Sequence, residues 1–178
     1  MKILKKVLAA LGILIALILI AALFMKKDYA LEREITINKP RQEVFDYVKY
    51  LKNQNYFSTW NMVDPKMKQT FTGTDGAPGF ISAWESDVLG NGEQEIKKIV
   101  EGERFETELR FKGLFASVSP AYITTESVSD NQTKVKWGIS GHMAYPINFM
   151  QVFVSMDEMI GTEYAKSLAN LKVILEKQ

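Results

Sequence analysis

The stretch PINFMQVFVSMDEMIGTEYAKSLANLKVILE, residues 146–176, decides the fold. Phe149, Val152, Phe153, Met156, Met159, Ile160, Tyr164, Leu168, Leu171 and Leu175 recur at three- and four-residue spacing and form one broad apolar stripe. Gln151, Asp157, Glu158, Lys166, Lys172 and Glu176 fall mostly away from it. The spacing predicts one helix of nearly thirty residues starting at Pro146 or Asn148, long enough to cross a whole sheet. Gly161 within it costs about 1 kcal/mol relative to alanine, which close packing at that point would explain.

What precedes this helix reads as the sheet it crosses. Residues 66–72, 80–87, 92–100, 104–111, 117–129 and 134–143 are β-like, and the runs between them are turn chemistry: Gly73-Thr-Asp-Gly76, Gly90-Asn-Gly92, Glu101-Gly-Glu103 and Ser129-Asp-Asn131. Glu106, Glu108 and Arg110 alternate with Phe105, Thr107, Leu109 and Phe111. Lys134 and Lys136 alternate with Val135, Trp137 and Ile139, as an antiparallel sheet covered on one face requires. Further back, residues 30–38 alternate as a first strand. At Pro40 the period then changes to helical, with Val44, Phe45, Val48 and Leu51 on one face. A second short helical piece, 52–57, leads to Trp60, Asn61 and the Asp64-Pro65 turn. The fold class is α+β: a curved antiparallel sheet of about seven strands around a long C-terminal helix, with two short helices after strand 1. A space between sheet and helix is the natural ligand site.

At the other end of the chain, residues 7–25 carry no charge and lie between Lys2, Lys5 and Lys6 on one side and Lys26 and Lys27 on the other. Nineteen residues at about 1.5 Å each cover on the order of 28 Å, the thickness of a bilayer's hydrocarbon. A cleaved secretory signal begins similarly, but its core is about 7 to 15 residues and ends at small residues. This run instead closes on Leu23-Phe24-Met25. The expected organisation is a transmembrane anchor with basic flanks at 1–27, a short polar linker at 28–33 and one domain at 34–178. Three lysines precede the span within six residues, whereas the positive charge after it is diluted. The expectation is a single-pass membrane protein with a cytoplasmic amino terminus and an exported domain.

Composition excludes several function classes for that domain. Of 22 Lys and Arg, five lysines flank the anchor; the 17 left face 21 Asp and Glu, about four net negative charges, which suits neither nucleic acid nor acidic lipid. With no cysteine there is no disulfide, thiolate chemistry or Cys-ligated zinc, and one histidine, His142, precludes a multi-histidine metal site. No nucleophile–base pair, phosphate loop or cofactor motif is legible; Gly73 to Gly79 reads as a strand connection. Nothing speaks to oligomeric state.

The order of elements and several phrases resemble the SRPBCC superfamily of START-like helix-grip domains, in the branch labelled polyketide cyclase/dehydrase and lipid transport. The phrases are Ile37-Asn-Lys-Pro-Arg-Gln-Glu-Val-Phe45, Tyr56-Phe-Ser-Thr-Trp-Asn61, Gly73-Thr-Asp-Gly-Ala-Pro-Gly79 with Trp84, Gly90-Asn-Gly92, Thr133-Lys-Val-Lys-Trp137 with Gly141, and Gly161 with Ser167-Leu-Ala-Asn-Leu-Lys172. Over about residues 34–176, the resemblance implies a hydrophobic cavity for a lipid or other apolar small molecule. It does not choose between carrier and enzyme.

Candidates for the cavity wall are Trp60, Trp84, Phe105, Leu109, Tyr122, Trp137, Met143, Phe149, Phe153, Met156 and Met159. Trp84 and Trp137 stand mid-strand, and the methionines offer an adaptable lining; plain core packing is the competing reading for each. His142 is the only side chain that titrates unaided near neutrality, yet the parity of Val135, Trp137 and Ile139 turns it outward. No catalytic residue is assigned. The leading expectation is a non-catalytic, membrane-anchored binding domain. The alternative is a cyclase, aromatase or hydrolase using tyrosine or His142 as proton carrier on a hydrophobic substrate.

Overall fold

A computed structural model describes residues 2–113 and 116–177; the outer limits of the expected anchor and domain, Met1 and Gln178, lie outside them. Alternation in the first strand begins earlier than expected. β1 runs Asp28–Ile37, so residues 28–33, read as a linker, are strand. Asp28, Ala30 and Glu32 take its outward positions, while Tyr29, Leu31 and Arg33 share the inner parity, Arg33 reaching the last helix. Pro40 directly precedes α2 (Arg41–Val48), and its carbonyl accepts the Val44 N–H at 3.2 Å; Val44, Phe45 and Val48 are buried. The second short helix is in three pieces: a 3-10 turn (Leu51–Asn53), α3 (Gln54–Phe57) and α4 (Thr59–Met62).

Six more strands follow: β2 (Lys68–Thr72), β3 (Ile81–Glu85), β4 (Gly92–Val100), β5 (Arg104–Phe111), β6 (Ser117–Ser129) and β7 (Gln132–His142). With β1 they form one antiparallel sheet in the order β1-β7-β6-β5-β4-β3-β2. Its outer face is polar. There Arg110 is ion-paired with Glu93, Glu95 and Glu108 at 2.6–2.7 Å.

The inner face is crossed by α5 (Met156–Lys177). At 22 residues it is shorter than the apolar stripe predicts. Ser155 stops it: its Oγ accepts the Glu158 N–H at 3.2 Å and its carbonyl accepts the Met159 N–H, as an N-cap does. Residues before that form a separate 3-10 segment, Ile147–Val152. The sequence Ser155-Met-Asp-Glu158 carries this start signal, a capping residue followed three positions later by glutamate. The apolar stripe masked it.

The space under α5 has a solid end and a hollow end. Leu168, Leu171 and Leu175 pack into a core with Ile37, Val44, Phe45, Val48, Phe105, Ile123 and Val135, all under 5 % exposed. Polar bonds fix the helix over it. Ser167 Oγ accepts the Thr59 N–H at 3.0 Å, Asn170 donates to the Phe57 carbonyl, and Lys172 donates to the Thr36 carbonyl at 2.8 Å. Near the other end Arg33 lies across Gly161, where a Cβ would collide with its guanidinium, and reaches Asp157 at 2.8 Å. That is the close packing the glycine suggests.

The uncharged N-terminal run is the helix α1 (Lys2–Phe24), long and apolar enough to cross a membrane. Its side chains are exposed along its length except near the C-terminal end, where Ala22 is buried. There Asn148 donates to the Ala22 carbonyl at 2.7 Å and Gln151 to that of Lys26 at 3.1 Å, while the Met143 N–H bonds Lys27 at 2.7 Å. The exit of α1 is thus tied to the segment that leads into α5. Replacing Ser155 with alanine is expected to cost about 1 kcal/mol. The thermal midpoint should fall by about 2–4 °C for a chain of this size, as calorimetry would read.

Candidate functional site

Between the inner face of the sheet and the N-terminal half of α5 lies a cavity of about 310 Å³. Strand parity builds its walls. Tyr29 on β1, Trp137 and Ile139 on β7, Leu109 and Phe111 on β5, and Ser82 and Trp84 on β3 point inward; Met156, Met159, Ile160 and Tyr164 close it from α5. Gly92 sits opposite Trp84 in the β3–β4 register, and a Cβ there would collide with the indole and stand 2.9 Å from the Arg110 carbonyl oxygen. The indole therefore occupies the room that the glycine leaves. It meets Phe111 edge-on at 5.9 Å. At the floor Trp137 stacks on Tyr164, ring centroids 4.4 Å apart, and meets Phe57 edge-on at 5.8 Å.

The polar groups around the cavity come mainly from the helical turns after α2 and the neighbouring strands. Asn55 and Gln69 exchange two hydrogen bonds at 2.8 and 2.9 Å, Asn61 donates to Asn55 at 2.7 Å, and Gln94 donates to Thr107 at 3.0 Å. Gln54, only 4 % exposed, differs from these: its Nε2 has no partner among the described residues. Burial pushes the Tyr164 phenol well above its ordinary range, so it stays protonated and available as a donor. No Asp, Glu, Lys, Arg or His lines the cavity among the described residues. Nor do three potential metal ligands cluster among them.

Six of the eleven residues expected at the wall line it: Trp60, Trp84, Leu109, Trp137, Met156 and Met159. The other five do not. Phe105 shares the inward face of Leu109 but lies four residues back along β5, inside the solid core, 1 % exposed. Tyr122 is on the outer face, over Gly138, where its hydroxyl donates to Glu32 and Arg104 lies 4.0 Å from its ring. Met143 lies beyond the end of β7, beside the exit of α1. Phe149 and Phe153 are placed elsewhere by the late start of α5; they pack edge-on against each other at 5.6 Å, and Phe153 is 76 % exposed. His142 pairs with Asp28 at 2.6 Å on the exposed edge, outside the cavity. Tyr29, Phe111 and Ile139 were signalled by the same alternation as Leu31, Leu109 and Trp137. Gln54, on the four-residue α3, and Ser58, Met67 and Leu89, between elements, carry no periodic signal.

No protein-family model matches the sequence, and no curated protein does. Solved structures do resemble it in shape. Truncated norcoclaurine synthase from Thalictrum flavum is similar with a TM-score of 0.64 and 9% identity over 85% of this chain and 95% of that one. A protein from Nitrosospira multiformis gives 0.60 and 16% over 82% and 94%. Ara h 8.0201 gives 0.52 and 14% over 81% and 98%. At such identities the likeness is one of fold, and the fold is the helix-grip fold of SRPBCC proteins.

Tyr164 gives the site a pH signature. Its ordinary value is 10.0 and burial raises it in the folded chain. The folded state therefore keeps a proton that the unfolded chain loses. Stability from this group is whole below about pH 10 and is lost as pH rises towards the folded-state value. Denaturant titrations between about pH 8 and 11 should show this fall. Tyr164→Phe should flatten it, leaving the smaller alkaline fall from the half-buried Tyr47 and from Tyr122, both of which are also raised.

Proposed function

We propose that this chain is a membrane-anchored binding domain that holds a lipid or other apolar small molecule between its sheet and α5. The observation that carries the reading is the cavity itself. It is lined by aromatic and methionine side chains, with a few amides and hydroxyls, within the range of small-molecule sites. Norcoclaurine synthase is named for catalysis on a similar scaffold, and the titratable groups that line this cavity among the described residues are the phenols of Tyr29 and Tyr164. Tyr164, whose phenol burial holds protonated well above neutrality, donates hydrogen bonds and is a poor general base, which favours binding over turnover.

Two features support the membrane half of the proposal. The 23 residues of α1 extend about 35 Å, enough for a bilayer's hydrocarbon, with Lys26 and Lys27 just beyond the helix. Next to its last turn, Ile147, Met150, Val152 and Phe153 present exposed apolar side chains on one short segment. Such side chains beside an anchor are suited to the interfacial layer. That segment leads directly into Met156 and Met159 at the cavity, so a ligand drawn from the bilayer has a short apolar path. Tethering also raises the local concentration of the pocket beside its ligands without new contacts. In the proposed orientation the amino terminus is cytoplasmic and the domain is exported, following the lysines before the span.

The full chain should stay with membranes through an alkaline carbonate wash, and protease added to intact cells should remove the domain. Its three tryptophans, Trp60, Trp84 and Trp137, all line the cavity and report on it directly. A brominated long-chain alcohol should quench their emission to a saturable limit. Quenching that only rises linearly with probe would contradict a discrete site.

A further inference from the structure

We infer that the molecule held in this cavity bears an uncharged oxygen function, a carbonyl or hydroxyl, and that this oxygen is seated on the side-chain amide of Gln54. The inference rests on the binding reading above and specifies its ligand. The other amides at the cavity already have protein partners: Gln69 and Asn61 bond Asn55, and Gln94 bonds Thr107. Gln54 stands on α3 at the same cavity, 4 % exposed, with its Nε2 unpartnered among the described residues. Leaving a buried amide unpaired is unfavourable, and native proteins seldom do so without a reason. The terminal torsion of glutamine is broad, so the amide turns readily to meet a ligand. If its nitrogen and oxygen are exchanged, a hydroxyl answers it in place of a carbonyl.

The rest of the lining fixes the charge of that oxygen. No cationic side chain lines the cavity among the described residues, so a carboxylate or phosphate seated there would lose its hydration without a counter-ion. The neutral donors and acceptors nearby, Ser58, Ser82 and the Tyr164 phenol, match an alcohol, ketone or ester. Trp84, Leu109, Phe111 and Met156 leave only apolar surface for the remainder of the molecule. The chemical class is an amphipathic lipid with a small uncharged head, as distinct from a fatty acid or a phospholipid.

The test is displacement of a neutral solvatochromic dye from the full chain by an alkane, a methyl ketone, an alcohol and a carboxylate of one chain length. The ketone or alcohol should bind about tenfold more tightly than the alkane and the carboxylate. Gln54→Met should abolish that margin and unfold no more readily than the wild type. An unchanged margin in the variant, or a preference for the carboxylate, would overturn the inference while leaving the binding site standing. If no probe displaces the dye from the wild type, the binding reading falls and this inference with it. A second readout needs no variant: the carbonyl stretch of a 13C-labelled ketone should lie lower in the protein than in alkane solvent. A stretch equal to that in alkane overturns the assignment.

Discussion

The stack of Tyr164 on Trp137 divides the space beneath α5, and both the fold and the site depend on it. Trp137 stands on β7, between β1 and β6, and Phe57 braces its edge from α3. On one side of the stack, leucines at helical spacing pack into the buried core with residues of the sheet and α2. On the other, the same helix offers Met156, Met159 and Ile160, which leave a cavity against the sheet. A helix-grip fold needs its helix fixed firmly at one end if the other is to stand off from the sheet. Ser167, Asn170 and Lys172 provide that hold through side-chain bonds to the α3–α4 turns and β1.

Much of this was legible because strand periodicity is a direct readout of which face is buried. The seven strands, their turns, the strand-to-helix change at Pro40 and the outward His142 all follow from alternation. The same alternation names the face of a side chain but not its depth along the strand. Leu109 and Phe105 look alike in sequence, yet one lines the cavity and the other lies in the core, because the helix above them closes only one end. Tyr122 was misplaced for want of a parity argument; Ala121 and Ile123 beside it are the buried positions. Phe149 and Phe153 were drawn into the last helix by an apolar stripe that continues past the helix start. The local hydrogen bond of Ser155 outweighs that stripe. Gln54 escapes sequence analysis altogether, since nothing in a four-residue helix announces which amide will lack a partner.

The exit of α1 links the site to its proposed surroundings. Hydrogen bonds from Asn148, Gln151 and the Met143 amide hold the end of the apolar helix to segments adjoining β7 and α5. β1 starts at Asp28, almost directly after that helix, so no flexible tether intervenes. On the proposed reading, the cavity is held at a fixed height above the bilayer, with exposed apolar side chains at residues 147–153 on the segment that leads into α5. Anchor and pocket then act as one device, and the ligands within reach are those that partition into membranes.

The central claim is that the cavity under α5 holds an apolar molecule in the working protein. The most direct measurement is native mass spectrometry of the full chain released gently from its own membranes, followed by identification of whatever leaves on denaturation. The account predicts one additional molecule per chain, mostly hydrocarbon and bearing an uncharged oxygen function. The bare protein mass alone, from preparations that retain membrane lipids, would contradict it.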